Sequence, residues 1–153
     1  MRLWRICRDR WAVSGFDGKG ARQTGGRWNR KGEAVVYTSS SLALAALELF
    51  VHLDPSEMPD DLVTIALDVP DDVAIRRISK SDLPRNWRNY PAPERLKEIG
   101  SKWIRTGEEL LMIVPSAVVP LETNVLINPA HADFARCSAG SPAPFHFDPR
   151  MWK

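Results

Sequence analysis

The sequence predicts a single α+β domain, residues 1–153, built on a mixed, mostly antiparallel sheet with helices inserted between the strands. A chain of 153 residues that is 44% hydrophobic can bury one proper core and is too short for two ordinary domains. Its 12 prolines are spread along the chain and separate short elements, which suits α/β or α+β architecture better than a helix bundle. The apolar runs of the second half follow one another too closely for helical crossovers, so neighbouring strands must pair mainly antiparallel.

Each element has its own local reason. Residues 3–6 form a first strand candidate. Residues 11–29 contain five glycines and read as a long polar loop with little structure of its own, the kind that in compact domains is functional or mobile. Residues 34–38 (AVVYT) are a strand by β-branched content. Ser39 to Ser41 then supply N-cap chemistry for a helix from Leu42 to about Leu53, stopped by Asp54 and Pro55. Residues 62–69 place Val63, Ile65, Leu67 and Val69 on one face at a period of two, the pattern of a half-buried strand. Residues 93–99 read as a helix with proline near its start and Gly100 as its stop. Residues 110–114, 118–121 and 124–127 form a cluster of strand candidates, and residues 145–147 (FHF) are one more.

Composition bounds the function. The 21 basic and 19 acidic residues leave a net charge of +2, which points to neither a nucleic-acid nor a membrane partner. The N-terminus, MRLWRICRDRW, carries charges where a signal peptide needs an apolar core, and no stretch approaches the length of a membrane span, so a cytoplasmic protein is expected. Cys7 and Cys137 are far apart and neither has a CxxC partner, which argues against a disulfide framework and against zinc. Both are expected to be reduced structural thiols, and no metal site is expected.

Three residues in the first third of the chain carry chemistry. In GGRWN, Gly25 and Gly26 either make a plain turn or let the backbone approach a ligand, while Arg27 presents a planar fork suited to a phosphate or carboxylate. Glu48 sits in SLALAALELFVHL, apolar on almost every side, where an ionised carboxylate is costly unless paired or hydrogen-bonded. It lies either on the helix's one exposed edge beside His52, or at the floor of a cleft where it can stabilise positive charge on a substrate. Tyr37 is either core with its hydroxyl satisfied or a ring face for a flat cation. Ser116 bonds a turn backbone or a ligand; with no GxSxG around it and no histidine placed to activate it, it is not a nucleophile. Asn124 and Asn128 are expected to fix turns, and His131 to act as a local hydrogen-bonder.

The chain resembles the RES-domain family, the toxin half of a class of bacterial toxin-antitoxin systems. LWRI, GGRWN, VVYTSSSLALAALE, VPSAVVPLETNVLINPAHADF and FHFDPR carry the resemblance over nearly the whole chain. It places the family arginine at Arg27, the tyrosine at Tyr37, the glutamate at Glu48 and the serine at Ser116. The resemblance implies a fold similar to ADP-ribosyltransferase toxins and an activity directed at NAD+: cleavage of the nicotinamide-ribose bond by hydrolysis, by phosphorolysis with inorganic phosphate, or by ADP-ribosyl transfer to a protein. Arg27, Tyr37 and Glu48 are then catalytic, and Arg27, Trp28, Asn29, Tyr37 and Ser116 contact the substrate. NAD+ is substrate rather than cofactor, since no GxGxxG lies between a strand and a helix. The implied partner is a DNA-binding antitoxin that occludes the active site. Two readings of other classes stand beside it. One is a nucleic-acid-binding or RNA-cleaving module using Trp4, Arg5, Trp28, Trp87, Arg88 and Trp103, against which the tryptophans' scatter counts. The other is a non-catalytic partner-binding domain.

Overall fold

A computed structural model describes residues 1–152. In chain order the elements are β1 (Arg2–Arg8), α1 (Lys19–Thr24), β2 (Val36–Ser39), α2 (Leu42–Phe50), β3 (Leu62–Asp68), β4 (Ile75–Arg77), α3 (Glu94–Thr106), β5 (Leu111–Pro115), β6 (Thr123–Ile127), β7 (Ser138–Ala139) and β8 (Ala143–Pro144), joined by short 3-10 turns. The strands form one sheet in the order β4-β5-β6-β2-β1-β3-β7, with β8 also on β3. Only β4 and β5 run parallel; the other pairs are antiparallel. The α+β class and the mixed, mostly antiparallel sheet are therefore as the sequence predicts.

Alternation along the strands builds the two faces. Leu111, Ile113, Val125 and Ile127 join Leu3, Val36 and Leu67 in one buried cluster. Met112, Val114 and Leu126 face the other way, into a cluster with Trp28, Trp87, Leu96 and Trp103 under α3. A third, smaller cluster seats α2 on β1 through Ile6, Ala45 and Leu62, with Phe145 and Phe147 packed against it. Trp28, Trp87 and Trp103 are thus core side chains and are withheld from any stacking on bases.

Four sequence expectations are corrected. Residues 11–29 are not structureless: a 3-10 turn at Asp9–Trp11 leads into them and they contain the helix α1, whose first turn is held by Lys19 N–H donating to Asp17 at 2.8 Å. The helix at residue 93 does not stop at Gly100 but runs on to Thr106 and ends at Gly107. Gly100 is there because a Cβ would lie 1.6 Å from the Trp28 carbonyl oxygen, so α3 and the GGRWN loop can touch only through a glycine. Residues 118–121 are a turn rather than a strand, because the Val118 and Val119 N–H groups both donate to the Ser116 hydroxyl and reverse the chain between β5 and β6. Residues 145–147 carry no strand; β8 lies just before them, and the Phe147 ring packs edge-on against Phe50 of α2 at 5.6 Å. No described helix is long and apolar enough to cross a membrane.

One irregularity in the sheet positions the site. β1 and β2 are neighbours, yet they pair at the single position Trp4↔Ser39, while β1 and β3 pair along their whole length. The two central strands therefore splay apart beyond that point. A large cleft opens along the split, with α2 on one wall and the GGRWN loop on the other.

Candidate active site

The cleft has a volume of about 1520 Å³ and is lined from β1 by Arg5 and Cys7, from the loop by Arg27, from β2 by Tyr37 and Ser39, from α2 by Glu48, from the turn after α2 by His52, and from β6 by Asn124. Five basic side chains (Arg5, Lys19, Arg27, Arg88, Lys97) and two acidic ones (Asp17, Glu48) face it. A chain of nearly balanced charge thus concentrates positive field in one concavity, which favours an anionic ligand.

Glu48 is half-buried on α2, a helix started by Ser41, whose side chain accepts the Leu44 N–H. Its Oε1 accepts two hydrogen bonds, from the Ser116 hydroxyl at 2.6 Å and from Asn124 Nδ2 at 2.5 Å. Asn124 is held in turn by the Ser39 hydroxyl, which donates to its Oδ1 at 2.7 Å. Both donors are neutral and both take Oε1. Among the described residues no protein donor reaches Oε2, so that oxygen is presented to the cleft with its charge unpaired. This is the arrangement that an ionised group needs to act on positive charge in a ligand rather than on a protein partner.

Arg27 is fixed from behind. Its Nη1 donates to the Trp87 carbonyl at 2.7 Å and to the Asn89 carbonyl at 3.2 Å, leaving the rest of the fork for a ligand. Burial lowers its pKa from the ordinary arginine value, and the negative field of Glu48 opposes that shift, so the two charges act on the same cleft. Tyr37 shows its ring to the cleft but spends its hydroxyl on the protein: it donates to Asn29 Oδ1 at 2.8 Å and accepts the Trp28 N–H at 3.0 Å. Burial raises its pKa, with the Trp28 N–H bond working against the rise, and it stays a neutral phenol. The same hydroxyl explains Gly26, where a Cβ would lie 2.6 Å from it.

The remaining expected contacts hold the site from within. Asn29 is fully buried and shares its Nδ2 among the carbonyls of Ala21, Arg30 and Glu33. Trp28 belongs to the core beneath α3, although one edge lines the cleft. Ser116 is fully buried beneath Glu48. Ser116→Ala removes a donor to Glu48 and leaves the Val118 and Val119 N–H groups without their acceptor, which should cost about 1–3 kcal/mol. A thermal melt of that variant checks it.

Two residues take places that the sequence reading did not assign them, Arg5 having been singled out only for a nucleic-acid site. Asn124 was expected to fix a turn and instead grips the carboxylate; its place opposite Ser39 in the β2–β6 ladder appears only once the strands are paired. Arg5 projects into the split between β1 and β2, donating from Nη1 to the Tyr37 carbonyl at 2.9 Å while its buried Nε has no partner. Desolvation lowers its pKa, yet an arginine remains protonated, so the cleft holds a second, partly buried cation. An arginine inside an apolar strand, LWRI, was the available signal. Asn128 does hold a turn, accepting the Ala130 N–H at 3.0 Å, and His131 likewise accepts the Asp133 N–H at 3.1 Å.

Comparison with known proteins places this geometry. A family model described as the RES domain matches residues 2–148. The chain is 40% identical over 152 residues to "Toxin Res" of Yersinia enterocolitica, covering 99% of both chains. It is also 40% identical over 153 residues to "Prs ADP-ribosylating toxin" of a Sphingobium species, covering 97% of this chain and 95% of that one. Among solved structures, a chain of the M. tuberculosis MbcT-MbcA toxin-antitoxin complex superposes with a TM-score of 0.77 over 94% of this chain and 83% of its own, at 14% identity, and so shows a shared fold. With the family match and these relatives each running nearly end to end, the chain belongs to the RES-domain family.

Proposed function

We propose that the protein is the toxin of a toxin-antitoxin pair and that it breaks the bond between nicotinamide and ribose in NAD+. The observation that carries this reading is the single oxygen of Glu48 left free in a cleft rich in arginine. NAD+ matches that combination: its pyrophosphate suits Arg27 and Arg5, its flat cationic ring suits the face of Tyr37, and its ribose becomes oxocarbenium-like as the bond breaks. Glu48 Oε2 then stabilises the charge that develops at C1′, while the electron pair of the broken bond stays on the nicotinamide nitrogen. The smaller hollow of about 350 Å³ on the other side of β1 is lined by Asp9, Asp60 and Asp61 and would repel the same ligand.

The names of the relatives support a toxin, and one of them supports transfer of ADP-ribose to a protein as the second reading. The ADP-ribosyl acceptor is water, phosphate or a protein side chain. Incubating the protein with NAD+, with and without phosphate, and weighing the products by mass spectrometry tests the function. Free nicotinamide with ADP-ribose, its phosphate ester or an ADP-ribosylated protein supports it; intact NAD+ contradicts it. Arg27→Lys keeps a charge but loses the fork and the tie to residues 87 and 89, so KM for NAD+ should rise about tenfold with a smaller change in kcat. Initial-rate kinetics check this.

The toxin-antitoxin complex that shares this fold supports a protein partner. A DNA-binding antitoxin that lays an acidic segment against Arg27 and fills the cleft is the form we propose, with the toxin acting on NAD+ in the cytoplasm.

A further inference from the structure

Residues 87–90 so far only support Arg27 and add charge to the cleft, yet four contacts hold them against the site. Trp87 is buried and anchors the segment in the core, while Arg88, Asn89 and Tyr90 are exposed. The Trp87 and Asn89 carbonyls accept from Arg27 Nη1. Arg88 Nε donates at 3.0 Å to the carbonyl of Ala117, the residue after the serine that grips Glu48. The Tyr90 ring lies 6.4 Å from the ring of His52, in the turn that follows the helix of Glu48. The segment thus touches the arginine, the support of the carboxylate and the end of the carboxylate's helix, and both Arg88 and Tyr90 line the cleft.

Tyr90 is 83% exposed, so its ring serves no packing purpose where it stands. Arg88 commits Nε to the protein and keeps its outer nitrogens for the cleft. We infer that Arg88 and Tyr90 form the wall that selects which acceptor reaches the ribose during reaction at Glu48. The inference rests on the proposed NAD+ chemistry and adds the determinant of its outcome. In that step the C1′–N bond breaks with its electron pair going to nicotinamide, which leaves neutral. A lone pair on the acceptor oxygen makes the new bond to C1′, and the acceptor's proton passes to solvent. Water and larger acceptors compete for the same short-lived centre, so side chains that line the approach to it through the cleft bias the ratio of products by size and orientation.

Methanol is a suitable probe, because it competes with water in fixed proportion and yields methyl ADP-ribose in place of ADP-ribose. Wild type, Tyr90→Ala and Arg88→Ala are incubated with NAD+ in dilute methanol and both products are quantified. Each substitution is at an exposed side chain and should cost little stability, which a thermal melt verifies. Opening the wall should raise the methanol-to-water product ratio by about fivefold or more for Tyr90→Ala, whatever its effect on total turnover. The same ratio in wild type and both variants would overturn the acceptor role while leaving the NAD+ reading intact. If wild type consumes no NAD+, the proposed function fails and this inference fails with it.

Discussion

Glu48→Gln should cut turnover by about a hundredfold to a thousandfold while leaving the protein folded. Glutamine keeps the length and shape of the side chain, and its amide oxygen can still accept from Ser116 and Asn124 in place of Oε1. Its NH2 then occupies the position of Oε2, replacing a negative charge with a weak positive dipole at the place where the proposed reaction develops cationic charge. Removing a preorganised contact of this kind lowers the rate by about a hundredfold to a thousandfold. Binding of intact NAD+ should weaken far less, because the ribose gains its extra charge only on the way to the transition state. Rates of NAD+ consumption and melting temperatures measured on one preparation separate the possibilities. A folded variant that consumes NAD+ at the wild-type rate would remove the carboxylate from the chemistry, and a variant whose activity falls only in step with unfolding would make Glu48 a structural residue.

Gly100→Ala should be strongly destabilising, the more so because the residue it meets, Trp28, borders the cleft. The new Cβ would meet the Trp28 carbonyl oxygen at 1.6 Å, a backbone atom that cannot rotate aside. Relief requires α3 or the GGRWN loop to move, and the two are bolted together beside that point. Ser101 donates to Glu33 at 2.8 Å and accepts from Arg30 at 3.1 Å, and Arg30 also pairs with Glu94 at 2.6 Å. Overpacking of this severity belongs at or above the upper end of the usual 1–3 kcal/mol, about 10 °C in melting temperature for a domain of this size. Because the displaced loop carries Arg27, activity should fall at temperatures where the variant is still folded. Differential scanning calorimetry with rate measurements below the transition checks both parts; a variant with wild-type stability and activity would mean that the contact is not as close as it stands.

The parts of the fold that the sequence makes legible are those fixed locally. Residues 62–69 alternate in pairs because one face of β3 is buried along its length, and Ser41 announces α2 because a helix start needs an acceptor for its free N–H groups. Gly100 misleads because the same residue type ends helices and permits close approaches, and only the partner strand or loop tells which. Residues 118–121 mislead in the opposite way: three of the four are apolar, yet the Ser116 hydroxyl takes the N–H groups that a strand would need for its ladder.

The site divides along a similar line. Arg27, Tyr37 and Glu48 can be singled out from the sequence and the structure lines one cleft with all three. Their supports cannot be read in advance, since Asn124 reaches Glu48 from 76 residues away and Arg5 reaches the Tyr37 carbonyl from the neighbouring strand. Asn29 and Ser116 carry the same lesson: each is buried and braces its motif, Asn29 through the carbonyls of Ala21, Arg30 and Glu33, and Ser116 through Glu48 and the Val118 and Val119 N–H groups.

The most direct test of the whole arrangement is a crystal structure of the Glu48→Gln variant with uncleaved NAD+. The account predicts the dinucleotide lying along the split between β1 and β2, its pyrophosphate on the free edge of Arg27, and C1′ of the nicotinamide ribose within about 3.5 Å of the position that Glu48 Oε2 holds in the wild type. NAD+ bound elsewhere, or bound in the cleft with its nicotinamide ribose out of reach of residue 48, would contradict it.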